Sequence, residues 1–152
     1  MESTNNKAKE LVVPENEYII YTKNQTGGRG QYDRKWISNK GITFSIVLKE
    51  ENEEYYKIVP NAIINYLKEK NIDAEIKLQN DIFYNGKKLG GILIENIYQE
   101  NKYDKTIIGI GLNINEDKSI ENTVENSICI NIKEKTENII KNIYKNIIIC
   151  IN

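Results

Sequence analysis

The apolar residues of this chain recur with two periods, one of about two residues and one of about 3.6, and these predict where strands and helices lie. Residues 42–48 (ITFSIVL) place Thr43 and Ser45 on the face opposite to the apolar residues Ile42, Phe44, Ile46 and Leu48. This alternation predicts a half-buried strand. Asn85-Gly86 predicts a tight hairpin turn. Further strands, rich in β-branched and aromatic side chains, are predicted at residues 17–22, 75–79, 81–84, 88–98 and 106–114.

Helical patterns occur in three places. Ser3-Thr4 are typical of a helix N-cap, and a short helix is predicted from Asn5 to Leu11. Residues 54–70 and 134–149 repeat apolar side chains every three or four positions. Strands joined by hairpins and backed by helices indicate an α+β fold with a mixed, largely antiparallel sheet. The length of 152 residues predicts one domain over residues 1–152.

Composition and charge narrow the function classes. Hydrophobic residues make up 39% of the chain, charged residues 28%, and the net charge is −1, which gives no electrostatic reason to expect a nucleic acid or a membrane as partner. The polar N-terminus and the lack of a long apolar run predict a cytoplasmic protein. The chain has no histidine, which excludes histidine general-base catalysis and the Ser-His-Asp triad. Cys129 and Cys150 are too few for a disulfide scaffold or a zinc site.

One face of the predicted strand 106–114 is poor in side chains. Ile107, Gly109, Gly111 and Asn113 share this face, opposite to an apolar one. Because glycine weakens a strand, two glycines on one face indicate that another group approaches the backbone closely. A ligand, a β-bulge or a closely crossing helix would each explain the pattern.

The segment QTGGRGQYDRKW, residues 25–36, holds both arginines of a chain whose other basic residues are lysines. Its glycines let backbone amides approach an anion, and the guanidinium groups of Arg29 and Arg34 can bind phosphate oxygens in a bidentate geometry that lysine lacks. Trp36 offers a flat face for a purine ring. The alternative is a surface loop without a ligand.

Two other pairs of polar residues are less specific. Lys87-Lys88 precede Gly90-Gly91, and Asn80-Asp81 interrupt an apolar run ahead of the hairpin. The two lysines could equally be solvated surface charges. Asn80-Asp81 could equally belong to a turn.

Together, four segments resemble the catalytic domain of biotin–protein ligases. They are ESTN (2–5), QTGGRGQYDRKW (25–36), KLQNDIFYNGKKLGGILIE (77–95) and IIGIGLNIN (107–115), in the family's order and near its spacing. The resemblance implies the family fold and a two-step reaction with ATP and biotin as substrates and Mg²⁺ accompanying the ATP. Biotin is first activated to biotinyl-5′-AMP, and a lysine of the biotin carboxyl carrier protein of acetyl-CoA carboxylase then accepts it.

The resemblance also implies roles for individual residues. Lys88 and Arg29 would be catalytic, with Lys88 bridging the biotin carboxylate and the α-phosphate. The biotin-binding residues would be Ser3, Thr4, Asn5, Gln25, Arg29, Gly30, Gln31, Lys88, Gly91 and Gly109. The nucleotide-binding residues would be Arg34, Trp36, Asn80, Asp81 and Asn113. Metal ligands stay unassigned.

The chain departs from the family pattern at several places. Leu78-Gln79 stand where the family usually has Trp-Pro, and Gln31 stands where many members have a second loop arginine. No DNA-binding domain precedes Ser3, so repressor activity is not expected. The expected C-terminal β-domain is absent, which predicts a minimal or truncated catalytic domain. The oligomeric state stays open, with a homodimer as one option.

Two other functions remain open. A lipoate or octanoyl transferase has the same fold, and a biotin- or adenylate-binding protein that lost transfer activity would keep the same pocket. The segment 25–36, called here the glycine-arginine segment, and the tripeptide STN (3–5) favour biotin.

Overall fold

The computed structural model describes residues 1–10, 17–29, 35–115 and 126–151, with only the backbone described for residues 23–26, 29 and 35–40. Within these ranges it contains three helices and a six-stranded sheet in the order β1-β2-β6-β5-β4-β3. In chain order the elements are α1 (Thr4–Glu10), β1 (Tyr18–Arg29), β2 (Lys35–Leu48), α2 (Tyr55–Glu69), β3 (Glu75–Lys77), β4 (Asp81–Tyr84), β5 (Lys87–Gln99), β6 (Lys102–Leu112) and α3 (Thr136–Ile151).

The strand pairing confirms the predicted α+β fold with a largely antiparallel sheet. Each pair of neighbouring strands is antiparallel. Two isolated bridges, Lys88–Ser127 and Ile114–Ile130, are parallel. No helix in the described part of the chain is long and apolar enough to cross a membrane.

Helices α2 and α3 cover one face of the sheet, called here the inner face. The alternating apolar residues of the central strands point to this face, as the sequence pattern predicts. Each large side chain buried there contributes roughly 1.5–3 kcal/mol. The main core joins strand residues Phe44, Ile46, Ile108 and Ile110 to helix residues Tyr66, Leu67, Ile139 and Ile143.

Two turns set the positions of β4 and β5. Asn85 and Gly86 have φ angles of 51° and 74°, and positive φ at both positions is typical of a two-residue type I′ hairpin, as predicted. The strand predicted to run to residue 79 ends at Lys77, because Leu78 and Gln79 have φ angles of 52° and 65°. Proline cannot adopt a positive φ, so this turn excludes the proline that the family pattern would put at position 79.

Helix α1 covers the opposite face of the sheet, called here the outer face. Its Ala8 packs with Val47 and Ile107 in a second, fully buried apolar cluster. Residues 42–48 form a strand as predicted, but the prediction that it is half-buried is wrong, because Thr43 and Ser45 are only 3% and 0% exposed. Periodicity within a strand cannot indicate that a helix from elsewhere in the chain covers its polar face.

Gly109 allows α1 to approach β6 closely. A Cβ atom at this position would lie 2.5 Å from Asn5 Oδ1 and 2.8 Å from Asn5 Nδ2, so a closely crossing helix accounts for this glycine. Ser3 caps the helix as predicted, since Asn6 N–H donates to Ser3 Oγ at 3.2 Å. The buried Lys105 ammonium donates to the Ala8 carbonyl oxygen at 3.0 Å. Because a helix of seven residues is not stable by itself, these contacts hold α1 in place.

Gly109→Ala is expected to lower the free energy of unfolding by about 1–3 kcal/mol, because the new methyl group must displace the Asn5 side chain. Urea unfolding followed by circular dichroism measures the loss. Asn5→Ala removes the obstructing amide, so the double variant should be more stable than the two single losses predict when added. Strictly additive losses would show that the methyl group clashes with something else.

Glu134 connects the two inner-face helices. Its carboxylate accepts a hydrogen bond from the Tyr66 hydroxyl at 3.0 Å and pairs with the Lys70 ammonium. The Lys70 ammonium holds the pKa of Glu134 below its ordinary value, the Tyr66 hydroxyl acts in the same direction, and partial burial opposes both. Burial, and then the Glu134 carboxylate, raise the pKa of Tyr66.

Glu134→Gln is expected to destabilise the fold by about 1 kcal/mol at neutral pH, because it removes an ion pair and weakens a hydrogen bond. A carboxylate whose pKa is lower in the folded state stabilises the fold above its unfolded pKa, and this contribution disappears as the pH falls through the folded pKa. The difference in Tm between the wild type and the variant should therefore shrink below about pH 4. Glu53→Gln, at an exposed position, is the control. A constant difference down to pH 3 would contradict this account.

Candidate functional site

Strand pairing on the outer face forms a row of residues with glycine at its centre. Thr43 of β2 lies beside Gly111 of β6, Gly111 beside Gly91 of β5, and Gly91 beside Asp81 of β4. These four residues are called here the glycine row. Three strand spacings of about 4.8 Å separate Thr43 from Asp81. The two strands between them carry no side chain in this row, so their backbone is the surface that a ligand would meet.

The first turn of α1 lies over the adjacent row. Two residues away along each strand, Ser45 pairs with Gly109. The Asn5 side chain lies directly over Gly109. The segment before α1 also contacts the glycine-rich end of β1, since Gly27 N–H donates to the Glu2 carbonyl oxygen at 2.7 Å. All four sequence segments meet at the start of α1, because Glu95 of the segment 77–95 also bonds Asn5.

A chain of hydrogen bonds orients the side chains at the start of α1. Asn5 Nδ2 donates to Glu95 Oε2 at 3.0 Å, Ser45 Oγ lies 2.5 Å from Asn5 Oδ1, and Thr4 Oγ1 lies 2.7 Å from Ser45 Oγ. These four residues are called here the polar relay. Lys9 Nζ donates to the other oxygen of Glu95 at 2.9 Å.

Glu95 determines the direction of every bond in the polar relay. A carboxylate only accepts hydrogen bonds, so the Asn5 amide must present its NH₂ group to Glu95 and its oxygen to Ser45. Ser45 has a single hydroxyl proton, which it donates to Asn5, and Thr4 is therefore the donor in its bond with Ser45. The amide and the two hydroxyls at the start of α1 are thus buried and fixed in orientation.

A cation lies at the β4 end of the glycine row. Lys88 Nζ is 3.2 Å from Asp81 Oδ1, and the two side chains are 31% and 17% exposed, so the pair is partly open to solvent. The backbone of Lys88 is held on both sides, because its N–H donates to the Asn126 carbonyl oxygen at 2.7 Å and its carbonyl oxygen accepts from Ile128 N–H at 3.0 Å. Asn113 Nδ2 lies 3.4 Å from the same carbonyl oxygen. Lys88 is thus tied into the site, whereas its neighbour Lys87 is exposed.

Many of the predicted site residues lie in this one region of the outer face. Asn80 precedes β4, and its carbonyl oxygen accepts from Ile92 N–H at 2.9 Å. The residues brought together by the glycine row, the polar relay and their immediate neighbours are Ser3, Thr4, Asn5, Asp81, Lys88, Gly91, Gly109 and Asn113.

The remaining predicted residues belong to the glycine-arginine segment. The backbones of Gln25, Arg29 and Trp36 lie in β1 and β2, and their side chains lie outside what the structure describes. Gly30, Gln31 and Arg34 lie outside the described residues. The phosphate and purine contacts expected of this segment stay predictions.

Sequence reasoning missed four residues of the site. Glu95 is the last residue of the segment 77–95. Its place in that segment was the only sequence signal that it could belong to the site. Ser45 and Thr43 were recognised only as the polar face of a strand. Their place in the site depends on residues distant in the chain, which leave no local sequence pattern. Ser127 is buried against Lys88 through a parallel bridge, and no motif marks it.

The site combines a fixed cation, bare backbone and oriented hydrogen-bonding groups. Among the residues that the structure describes, no three His, Cys, Asp or Glu side chains are grouped to hold a metal ion. A ligand with a polar ring at one end and an anionic group at the other matches the chemistry of the two ends, since the polar relay suits the ring and Lys88 suits the anion.

Comparison with known proteins gives consistent matches. The model of the biotin/lipoate A/B protein ligase family matches residues 1–113. The bifunctional ligase/repressor BirA of Bacillus subtilis (strain 168) is 34% identical over 127 residues, which are 76% of this chain and 39% of that protein. The chain therefore spans about two-fifths of the length of this relative.

Solved structures match over nearly the whole chain. The biotin protein ligase from Aquifex aeolicus in complex with biotin and ATP has a TM-score of 0.79 at 26% identity, covering 96% of this chain and 65% of that one. The biotin acetyl coenzyme A carboxylase synthetase from Helicobacter pylori with bound biotinylated ATP has a TM-score of 0.73 at 25% identity, covering 97% of this chain and 69% of that one. The family model matches most of the length of this chain, and the fold is shared with these structures. This chain belongs to the biotin/lipoate A/B protein ligase family.

Proposed function

We propose that this chain is the catalytic domain of a cytoplasmic biotin–protein ligase. It activates biotin with ATP to biotinyl-5′-AMP and transfers the biotin to a lysine of the biotin carboxyl carrier protein of acetyl-CoA carboxylase. The observation that carries this proposal is the placement of the polar relay and of Lys88 around the same pair of glycine strands. The Aquifex aeolicus relative, solved with biotin and ATP, supports the choice of substrates.

The two ends of the site suit the two ends of biotin. The ureido ring has both donors and an acceptor, and the oriented amide and hydroxyls of the polar relay match such a ring. An analogue without the ureido group would leave the remaining hydrogen-bonding capacity of these buried groups unused, which makes them selective. The carboxylate at the other end of biotin suits the Lys88 ammonium. Between these ends, Gly91 and Gly111 carry no side chain that would project toward the molecule.

Lys88 serves the first chemical step by reducing charge repulsion. A carboxylate oxygen of biotin attacks the α-phosphorus of ATP, the new C(O)O–P bond forms, and the bond to the β-phosphate oxygen breaks with release of pyrophosphate. Two anions must meet for this to happen, and an ammonium between them stabilises the transition state more than the separated substrates. No proton transfer is required, which agrees with a chain without histidine.

Mg²⁺ is expected to arrive with the ATP. It prefers oxygen ligands and retains several of its own waters, so it is usually held by nucleotide phosphates and one or two carboxylates. Asp81, with Asn80 beside it, supplies such oxygens at the Lys88 end of the glycine row. Mg²⁺ there would neutralise phosphate charge, while Lys88 acts on the carboxylate.

The second step needs an amine from the carrier. The lysine amine attacks the carbonyl carbon of the mixed anhydride, an amide bond forms, and AMP leaves with the electron pair of the broken C–O bond. The amine proton passes to the solvent or to the departing phosphate. The glycine-arginine segment would hold the adenylate until the carrier arrives, with Arg29 and Arg34 on the phosphate and Trp36 beside the purine.

Incubation with biotin, ATP, Mg²⁺ and a purified carrier domain tests the function. The expected result is a carrier labelled at one lysine, detected by mass spectrometry. Adenylate without labelled carrier would indicate a protein that has lost transfer, and no biotin product at all would contradict the proposal. The family also includes lipoate ligases, so a parallel incubation with lipoate tests the other substrate. A carrier labelled with lipoate alone would also contradict the proposal.

Lys88→Ala is expected to slow adenylate formation by on the order of a thousandfold, because it removes a charge that acts mainly in the transition state. Pyrophosphate release measures the rate. Lys87→Ala is the matched control, since Lys87 is the exposed lysine next to it on β5, and its rate should be unchanged. Equal rates for the two variants would remove Lys88 from the mechanism.

Glu95→Gln is expected to raise the KM for biotin roughly tenfold, with little change in the KM for ATP or in kcat at saturating biotin. The glutamine amide can donate as well as accept, so the Asn5 amide is free to flip and the polar relay loses its fixed direction. Glu10→Gln, on the exposed end of α1, is the control. If the KM for biotin in Glu95→Gln equals that of the control, Glu95 does not position Asn5.

A further inference from the structure

Thr43 has a buried hydroxyl without a partner in the described part of the chain. Its side chain is 3% exposed, and Oγ1 makes no hydrogen bond there. Other buried hydroxyls of the sheet are paired: Thr106 Oγ1 lies 2.6 Å from Asn96 Oδ1 and 2.7 Å from the Tyr103 hydroxyl. A buried hydroxyl without a partner has lost its bonds to water with no compensation, so this one calls for an explanation.

The position of Thr43 relates its hydroxyl to the site. Thr43 lies at the β2 end of the glycine row, directly beside Gly111. Ile42 and Phe44 on either side of it point into the core of the inner face, so the Thr43 side chain points to the outer face. Ser45, two residues along the same strand and on the same face, bonds the polar relay. The unpaired hydroxyl therefore lies on the face of the sheet that carries the proposed site.

We infer that the Thr43 hydroxyl is a further biotin-contacting group, which forms a hydrogen bond with the polar ring of biotin and selects for that ring. This inference rests on the proposed function. The assignment to biotin rather than to the nucleotide follows from the neighbours of Thr43, since Ser45 and Gly111 adjoin the relay and the glycine strands, whereas Lys88 and Asp81 lie at the other end of the row. In the free protein the hydroxyl costs stability, and the ligand provides its partner.

Thr43→Val tests this inference because valine keeps the shape of the side chain and removes only the hydroxyl. Removing an unpaired buried hydroxyl should leave the Tm of the ligand-free protein unchanged or raise it by about 2–4 °C. The same change should raise the Kd for biotin about tenfold, equivalent to about 1.4 kcal/mol. Calorimetric titration of the 152-residue chain with biotin alone and with ATP alone measures both affinities, and the Kd for ATP should not change.

Two further variants separate ligand contact from structural effects. Thr106→Val removes a paired buried hydroxyl far from the glycine row, so it should lower the Tm by several degrees and leave the Kd for biotin unchanged. Thr43→Ser retains the hydroxyl and should restore most of the affinity for biotin.

The outcomes distinguish failure of the inference from failure of the proposed function. A wild-type chain that binds neither biotin nor ATP would overturn the proposed function and the inference with it. A wild-type chain that binds biotin, together with an unchanged Kd in Thr43→Val, would overturn the inference alone. A fall in Tm for Thr43→Val as large as that for Thr106→Val would also overturn it, because the hydroxyl would then be paired within the free chain. Weakened binding of ATP with normal binding of biotin would overturn the assignment to biotin.

Discussion

The close approach of α1 to β6 is the constraint on which the site depends. A side chain at position 109 would collide with Asn5, so this glycine sets how near the first turn of the helix can lie to the sheet. That distance lets Asn5 reach both Glu95 and Ser45. The helix is too short to hold itself, and Lys105, Ala8 and the capping Ser3 fix its position. Packing and chemistry are therefore inseparable at this end of the site.

The other end of the site is held by turns and charge. The Asn85-Gly86 hairpin determines where β5 begins, and that places Lys88 opposite β4, next to Asp81. The segment 126–130 then holds the backbone of Lys88 through hydrogen bonds on both sides. Hydrogen bonds fix directions at the α1 end, and an ion pair fixes a charge at the β4 end. Between them the two central residues of the glycine row, Gly91 and Gly111, carry no side chain. The ligand proposed here, a small molecule with a polar ring and an anionic tail, would match the chemistry of both ends.

The departure at Leu78-Gln79 shows how a local change can leave the site intact. These residues form a turn with positive φ at both positions, which a proline at position 79 could not adopt. The Leu78 side chain is 79% exposed, so it packs on nothing that the site requires. β4 still begins at Asp81 and pairs with Gly91, and the Lys88–Asp81 pair is kept. This departure from the family pattern therefore leaves the pairing of β4 with β5 in place.

The sequence by itself determined the elements and most of the residue types in the site. Alternation identified the inner face of β2 and β6, the Asn-Gly dipeptide predicted the hairpin, and Ser3 predicted the cap, because each of these depends on neighbours along the chain. The tertiary structure alone decided which interpretation of Gly109 was correct, that the polar face of β2 is buried, and that Lys88 is paired while Lys87 is exposed. It also assembled the relay from residues 4, 5, 45 and 95. Such contacts join positions as many as 90 residues apart, and no local pattern encodes them.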